Sequence, residues 1–326
     1  MESPIPFIVL FATLLIDVVA GHIPGIRYVF ALPLNLVRGL AGWFDRRLNR
    51  EHRSRNARRI RGAIVLLIIA VPVWVGASVF DGYANQGPYG AMIDTCVLLF
   101  LISGSRPIAR LRTVNRALRG AYNERASRIS NSLVRWDTKN MDGHGIARAA
   151  INGSSARLAE GLFGLIFWYL LFGLPAVILC RVIGAIADVI GRNSAQHLDF
   201  GFAPRRLDDV LSLPAAIIAG PVFFLAAIFI PQASPVKAFT VWLRDFSTRV
   251  LRSDFRGEGA IAGAFDIALG GPQEFGEETV SRDWTGDGRA RIVRADVNRT
   301  SWLLGVSVLL TMLAISGAIV FLKQSS

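Results

Sequence analysis

Four charged side chains stand together near the middle of the chain: Arg205, Arg206, Asp208 and Asp209. Two neighbouring carboxylates offer the hard oxygen ligands that Mg²⁺ prefers, and arginines bind the phosphate groups that accompany this ion. The apolar run that starts at Pro214 follows directly, which places the charges at a membrane surface. We predict a site in which the aspartates hold a metal and the arginines bind phosphate. The alternative is an interfacial loop whose four charges pair with one another.

Three further acids in the central part of the chain could take part in the same chemistry. Asp137, Asp142 and Glu160 precede the paired aspartates, and we take them as candidate catalytic carboxylates. Metal-assisted phosphate chemistry needs several oxygen ligands around one ion, so these acids would have to converge in space. From the residues alone, the sequence predicts such a site and nothing more specific.

Other common chemistries lack their sequence signatures. The four histidines are scattered without an HExxH motif, and the two cysteines, Cys96 and Cys180, both lie in apolar stretches. Neither a zinc site nor a disulfide framework is therefore predicted. The nucleophile motif GxSxG is also missing.

The composition is typical of an integral membrane protein. Of the 326 residues, 52% are hydrophobic and only 18% are charged, and the mean hydropathy is +0.43. Soluble domains usually carry about 25% charged residues. The net charge of +12 could indicate a nucleic-acid-binding protein, but fifteen of the 36 basic residues lie in two blocks beside apolar segments. This pattern indicates membrane anchoring, so no nucleic acid partner is expected.

The apolar segments predict an all-α, polytopic membrane bundle with five to seven spans in a single domain over residues 1–326. We expect spans near residues 6–21, 63–80, 90–104, 214–230 and 301–322. The apolar segment over residues 158–190 is too long for one ordinary span and too short for two. Because Gly173-Leu174-Pro175 interrupts it, we predict a bent or re-entrant pair. Residues 29–44 mix apolar and polar side chains, as a helix in the headgroup layer would.

The polar segments are expected on the cytoplasmic side, together with amphipathic helices. Arginines crowd residues 46–61 and 106–128, so both blocks mark the cytoplasm and place the amino terminus outside. Residues 105–157 form one polar segment, helical over 107–134, and residues 237–300 form another. Residues 191–213 are predicted to be a charged loop on the same side.

One part of the second polar segment is rich in glycine and alanine. Residues 257–271 could form a tightly packed helix or a phosphate-binding loop. Because no Lys-Ser/Thr pair ends this stretch, as it would in a P-loop, we favour the packed helix.

Short motifs of glycine, proline, aromatic and charged residues follow one another along nearly the whole chain. Asp17, Gly21 and Pro24 stand at the beginning. The others are Leu48-Asn49-Arg50, Val134-Arg135-Trp136-Asp137-Thr138, Met141-Asp142, Gly145-Ile146-Ala147-Arg148-Ala149-Ala150-Ile151, Phe167-Trp168-Tyr169, Gly173-Leu174-Pro175, Phe200-Gly201, Arg206-Leu207-Asp208-Asp209, Leu213-Pro214, Ala262-Gly263-Ala264, Leu269-Gly270-Gly271-Pro272 and Trp284-Thr285-Gly286-Asp287-Gly288. In content and order these motifs resemble the CobD/CbiB family of membrane adenosylcobinamide-phosphate synthases.

The resemblance implies an amide-forming ligase of cobalamin biosynthesis. Members of the family join adenosylcobyric acid to aminopropanol phosphate, or to a related amino alcohol, with ATP and Mg²⁺ as cofactors. This chemistry needs carboxylates for the metal and cations for the phosphates. The implied partners are a corrinoid, an amino-alcohol phosphate and the lipid bilayer, and the implied location is the inner (cytoplasmic) membrane of a bacterium, as a multi-pass protein.

Several polar positions depart from the family pattern. Where the family has two glutamates, an asparagine and an aspartate, this chain has Asn152, Ala156, Arg157 and Glu160. Other positions at which a polar family residue is replaced are Gly184, Ala185, Ala187, Ser212, Ile217 and Leu251-Arg252-Ser253. Two functions therefore stay open. One is the ligase, or a variant that uses another amine or acid, and the other is a catalytically silent paralog that binds or assembles other membrane proteins.

Overall fold

A computed structural model of the chain describes residues 4–20, 24–50, 53–120, 123–249, 257–275 and 278–325. His22, His52 and the motif Leu251-Arg252-Ser253 lie outside the described residues.

Within these ranges the chain is almost entirely helical. The α-helices are α1 (Ile5–Ala20), α2 (Pro24–Leu48), α3 (Arg55–Ala84), α4 (Gly90–Leu101), α5 (Ser105–Arg119), α6 (Asn123–Asn131), α7 (Gly143–Leu158), α8 (Gly164–Ile190), α9 (Phe202–Ala227), α10 (Pro235–Arg249), α11 (Gly259–Phe265) and α12 (Arg294–Ser325). A π-helical turn, Ala159–Phe163, joins α7 to α8. The short strands are β1 (Leu269–Gly270), β2 (Gln273–Phe275), β3 (Glu278–Val280) and β4 (Trp284–Thr285). Strand β1 pairs antiparallel with β4, and β2 pairs antiparallel with β3.

Among the described residues, five helical stretches are long and apolar enough to cross a membrane. They are Arg55–Ala84, Gly90–Arg119, Gly143–Ile190, Phe202–Ala227 and Arg294–Ser325. A shorter apolar helix covers Ile5–Val19. The predicted all-α polytopic membrane fold is therefore confirmed.

The chain divides into two compact units. The first unit contains Met1–Ile102, Leu165–Leu211 and Ala318–Ser326. The second contains Ser103–Gly164 and Ser212–Gly317.

In the first unit, α2, α3 and α8 surround one apolar core. Its buried members include Ala41 of α2, Val65 of α3, Ile186 of α8 and Phe200, which follows α8. A Cβ atom at Gly62 would overlap the carbonyl group of Phe200, so α3 can approach this segment only through a glycine. Close packing of this kind fixes the segment before α9 against α3.

Helix α2 folds back along α3. Arg58 donates to the side-chain oxygen of Asn49 at 3.2 Å, and Arg61 donates to the carbonyl of Leu48 at 3.4 Å. Further along α2, Val37 and Ala41 pack on the core that Val65 joins. The helix predicted for the headgroup layer, residues 29–44, thus packs on a helix that is long enough to span.

Helix α8 changes direction sharply at Gly173. This residue has φ 72° and ψ −165°, which are not helical values, and Pro175 follows within the same helix. On one side of Gly173, Trp168 donates to the carbonyl of Leu211 at 3.0 Å. On the other side, a Cβ at Gly184 would lie 3.2 Å from Oδ1 of Asp208, one turn from Leu211. In a straight helix, residues 168 and 184 would be about 24 Å apart. Because α8 bends at Gly173, both of its arms instead reach the same turn of α9.

Helix α9 begins at Phe202, so the charged stretch before Pro214 is helical and is not the loop that the sequence predicts. The apolar run begins at Pro214, and this made Pro214 the expected start of the span. Instead, Pro214 and Pro221 both lie inside α9. Membrane helices tolerate interior prolines because neighbouring groups satisfy the freed carbonyls.

In the second unit, α7 presents a buried face of small residues to α5 and α6. Among these residues, Gly153 allows a particularly close approach, since a Cβ there would lie 2.7 Å from Cβ of Leu133. Helix α11 is buried along its whole length and packs on α10. A Cβ at Gly263 would overlap the carbonyl of Lys237. The predicted close packing of the glycine- and alanine-rich stretch is confirmed.

Candidate functional site

The paired charges lie on the first turns of α9, in the first unit. Arg205 donates to Oδ1 of Asn193 at 3.0 Å and to the carbonyl of Leu198 at 3.4 Å. Arg206 is exposed, and its guanidinium lies 5.8 Å from the ring centre of Phe202. Arg205 therefore holds the segment that precedes α9, while Arg206 keeps its charge at the surface. Phosphate binding by the two arginines stays a prediction.

Asp208 and Asp209 differ in their surroundings. Asp208 is 4% exposed and faces Gly184 of α8, whereas Asp209 is half-buried. Adjacent residues on a helix point about 100° apart, so the two carboxylates do not face each other. A metal ion bound to α9 would therefore not find the two carboxylates side by side. Of the two, Asp208 lies in the more enclosed environment.

The three candidate catalytic acids belong to the second unit. Asp142 caps α7, because its Oδ1 accepts a hydrogen bond from the Gly145 N–H at 2.7 Å. Glu160 lies in the π-helical turn, and its carboxylate is 3.8 Å from the guanidinium of Arg157. Asp137 donates its backbone N–H to the carbonyl of Glu274 at 2.7 Å. These observations give Asp142 and Glu160 structural roles, and their catalytic role stays a prediction.

Asn152 of α7 is a further buried polar residue. It is 3% exposed, on the buried face of α7, and its Oδ1 has no hydrogen-bond partner among the described residues. The hydroxyl of Ser154, on the same helix, is also buried and has no hydrogen-bond partner among the described residues. A buried polar atom without a partner costs about 1–3 kcal/mol, which proteins accept mainly where a ligand or water completes the contact.

A polar network that the sequence did not single out connects α2 to the segment between α8 and α9. Nε2 of His197 lies 3.1 Å from Oδ2 of Asp45, and Nδ1 of His197 lies 2.9 Å from Oγ of Ser194. Asn49 donates to Oδ1 of Asp45 at 2.9 Å. Burial of Asp45 would raise the pKa of its carboxyl group. The hydrogen bonds from His197 and Asn49 and the charge of Arg192 outweigh this effect and lower the pKa.

The Ser194, His197 and Asp45 side chains stand in the order of a nucleophile, a base and an acid. However, Ser194 and His197 belong to one turn, in which the backbone N–H of His197 also donates to the carbonyl of Ser194 at 2.9 Å. The hydroxyl contact is thus a local turn bond. In the sequence, the motif Leu48-Asn49-Arg50 was the signal for this network, but it did not indicate which residues would bond to Asn49.

Two buried pairs were also missed. In the first unit, Tyr169 of α8 donates to Oδ2 of Asp94 of α4 at 2.7 Å, and Asp94 is 7% exposed. In the second unit, Arg282 donates to Oε1 of Glu258 at 2.6 Å, and Glu258 is 4% exposed. Both pairs join residues that are far apart in the chain, so spacing within the sequence gave no signal for them.

A metal ion needs donor side chains that converge on it. In the part of the chain that the structure describes, no three His, Cys, Asp or Glu side chains come together as a metal-binding group. Mg²⁺ needs fewer protein ligands, because it is commonly held by one or two carboxylates together with substrate phosphate and water. The chemistry of Asp208 fits this role, and the exposed guanidinium of Arg206 fits binding of a phosphate oxygen.

The fold and these buried charges define a class of protein, the polytopic helical membrane proteins. Charged and polar groups are held between or beside helices long enough to span a bilayer, which is where such proteins place functional residues. A family model described as CobD/Cbib protein matches residues 10–304. The chain belongs to this CobD/Cbib protein family.

Curated relatives cover most of the chain. A protein of Sinorhizobium sp. named cobalamin biosynthesis protein CobD is 30% identical over 294 residues, which is 89% of this chain and 91% of the relative. A protein of the same name from Sinorhizobium fredii is 28% identical over 90% of each chain. Another, from Mycobacterium tuberculosis, is 30% identical over 78% of this chain and 82% of its own length. No solved structure matches the chain.

Proposed function

We propose that this protein acts in cobalamin biosynthesis, as a ligase of the inner bacterial membrane. Its reaction would join the carboxyl group of adenosylcobyric acid to the amine of aminopropanol phosphate, or of a related amino alcohol, with ATP and Mg²⁺. The observation that best supports this proposal is the family match over residues 10–304, within which the motif Arg206-Leu207-Asp208-Asp209 is intact. The curated relatives, which carry the name cobalamin biosynthesis protein CobD, agree with it.

The proposed roles follow the surroundings of each residue. Asp208 would hold Mg²⁺, with Asp209 near it on α9, and Arg205 and Arg206 would bind phosphate oxygens of the nucleotide. A bound magnesium ion neutralises charge on the phosphates during transfer. Within the protein, burial of Asp208 beside Gly184 keeps its carboxylate out of bulk water, which strengthens its attraction for any cation.

The acids of the second unit would act on the organic substrates. Asp137, Asp142 and Glu160 are the candidate carboxylates for binding the substrate amine and accepting its proton. Asp142 and Glu160 already make the cap and ion-pair contacts described above. Catalysis by either acid would therefore require it to leave a structural contact.

A second candidate function is a catalytically silent paralog that binds or assembles other membrane proteins. The resemblance described above favours it, because Asn152, which is buried on α7, and Ala156 stand where the family pattern has glutamates. The loss of a ligand-orienting group alone commonly costs about 10- to 100-fold in activity or metal affinity.

Complementation separates the two functions. A strain that lacks this ligase would be supplied with the wild-type chain, with Asp208→Asn, or with the control Glu124→Gln, which changes an exposed acid. The ligase proposal predicts growth with the wild type and the control and loss of growth with Asp208→Asn. Failure of the wild type to complement, despite normal insertion in the membrane, would favour the silent paralog.

A further inference from the structure

Helix α2 carries an exposed apolar stripe on the side that does not pack on the core. Leu32, Leu36, Leu40 and Trp43 are each between 42% and 70% exposed, and their spacing of three or four residues places them on one face. The stripe is about 17 Å long, which is close to half of the ~30 Å hydrocarbon core of a bilayer. It is therefore long enough to cross one leaflet.

Two arginines follow the stripe and fold back along its last turn. The guanidinium of Arg47 lies over the ring of Trp43, 4.5 Å from its centre. Nη1 of Arg46 lies 3.7 Å from the position that a Cβ atom at Gly42 would take. Arginines beside an apolar surface usually extend their charge away from it into water, whereas these two guanidinium groups stay beside the turn that carries Trp43. Tryptophan favours the headgroup layer of a membrane, so both charges lie at that level.

No acid compensates these two charges in the part of the chain that the structure describes. Neither Arg46 nor Arg47 has a carboxylate there within ion-pair distance. The neighbouring acid, Asp45, engages both of its oxygens in the buried network described above. Arg38, about two turns earlier in α2, is by contrast paired with Asp188 at 3.0 Å. The positive charge at the end of α2 is thus directed to an anion outside the protein.

Helix α3 changes from basic to apolar at the same level. Arg55 is exposed at its first position, and Ile60 and Ile64 begin a row of exposed apolar side chains. The hydrogen bonds from α3 to the end of α2, described above, hold that end beside the first two turns of α3. Two neighbouring helices therefore share one border between a basic surface and an apolar surface. Such a border is typical of the place where a protein meets lipid headgroups.

We propose that this end of α2 binds anionic phospholipid. The apolar stripe lies among the acyl chains, and Arg46 and Arg47 bind phosphate oxygens of headgroups at the level of Trp43 through charge-assisted hydrogen bonds. A lipid fits this surface better than a soluble anion does, because the apolar stripe runs directly into the two charges. Phosphatidylglycerol is favoured over phosphatidylcholine, whose own ammonium group competes with the guanidinium for the phosphate. The surface uses none of the residues proposed for the ligase.

Native mass spectrometry of the full chain in detergent tests this surface. The protein would be titrated with phosphatidylglycerol or with phosphatidylcholine of the same acyl chains, and the dissociation constants of the first bound lipid would be compared. We expect the wild type to bind phosphatidylglycerol about tenfold or more tightly, and the double variant Arg46→Gln, Arg47→Gln to lose most of this preference. The matched control is Arg125→Gln, Arg128→Gln, which removes two exposed charges from α6, a helix without exposed large apolar side chains. It should keep the preference.

Two further comparisons make the outcome decisive. The double variant Arg46→Lys, Arg47→Lys keeps both charges and should keep most of the preference. The preference of the wild type is measured without any substitution, so it tests the proposal even where a variant folds poorly. Equal affinity of the wild type for the two lipids, or an equal loss of preference in the α6 control, would overturn the proposal. A dimer that forms without phosphatidylglycerol and is lost in Arg46→Gln, Arg47→Gln would also overturn it, because a second copy of the chain would then cover this face.

Discussion

Asp142 shows how one side chain carries two competing interpretations. The sequence makes it a candidate catalytic acid, and the structure makes it the cap of α7, with its Oδ1 2.7 Å from the Gly145 N–H. An acid at a helix N-terminus is also stabilised by the helix dipole. The two roles differ in what they require, because a cap needs a hydrogen-bond acceptor whereas a catalytic acid needs an ionisable group.

Substitution of Asp142 separates these roles. Asp142→Ala should lower the stability of the protein by about 0.5–2 kcal/mol, because the N–H of Gly145 loses its acceptor. Asp142→Asn should keep most of this stability, since asparagine is an equally good cap. The thermal midpoint and the ligase activity would be measured for both variants. If Asp142→Asn is stable and fully active, the carboxylate has no catalytic role.

Asp45 gives the first unit a stability that depends on pH. Its pKa is lowered in the folded protein, so the ionised form stabilises the fold above the pKa of the unfolded carboxyl, about 3.9. This contribution is lost as the pH falls through the lower folded value. The thermal midpoint should therefore fall more steeply below about pH 4 in the wild type than in Asp45→Asn. Glu124→Gln, which changes a fully solvated acid, should keep the wild-type slope; an identical slope in Asp45→Asn would contradict this account.

Helix features that depend on local composition could be predicted from the sequence, whereas features that depend on tertiary contacts could not. The packed helix predicted in the Gly/Ala-rich stretch is present as α11, because small residues allow one helix axis to approach another. The start of α9 was predicted wrongly, because the apolar run begins at Pro214 whereas the helix already begins at Phe202. Tolerance of a proline inside a helix depends on neighbouring groups, which the sequence alone does not show. This error matters for the site, because Asp208 and Asp209 are adjacent residues of a helix and point about 100° apart.

Helix α11 should be sensitive to a single methyl group. Gly263→Ala would place a Cβ against the carbonyl of Lys237, and overpacking of this kind typically costs about 1–3 kcal/mol. Gly305→Ala is the matched control, because nothing lies within 4 Å of its Cβ position and alanine favours a helix. Thermal unfolding in the same lipid should show a lower midpoint for Gly263→Ala alone. Equal midpoints would mean that α10 and α11 are not in close contact.

At the scale of the whole molecule, the arginine blocks predict which polar segments face the cytoplasm. The turn between α3 and α4 should lie outside, and the segment between α8 and α9 should lie inside. In a background without Cys96 and Cys180, a membrane-impermeant maleimide added to intact cells should label Gln86→Cys but not Ala195→Cys. Both positions are exposed in the structure, so a difference in labelling reports the side of the membrane. Labelling of Ala195→Cys in intact cells would show that the predicted side of residues 191–201 is wrong.

The family match covers residues 10–304, and the motif Arg206-Leu207-Asp208-Asp209 lies within it. The central claim is that the remaining acids, with Asp208 foremost, still support amide bond formation. The most direct test supplies the purified protein in nanodiscs with adenosylcobyric acid, aminopropanol phosphate, ATP and Mg²⁺, and detects adenosylcobinamide phosphate by mass spectrometry. Our account predicts product with the wild type and a loss of about 10- to 100-fold or more with Asp208→Asn. No product from the folded wild type, under conditions in which an active family member makes it, would contradict the claim.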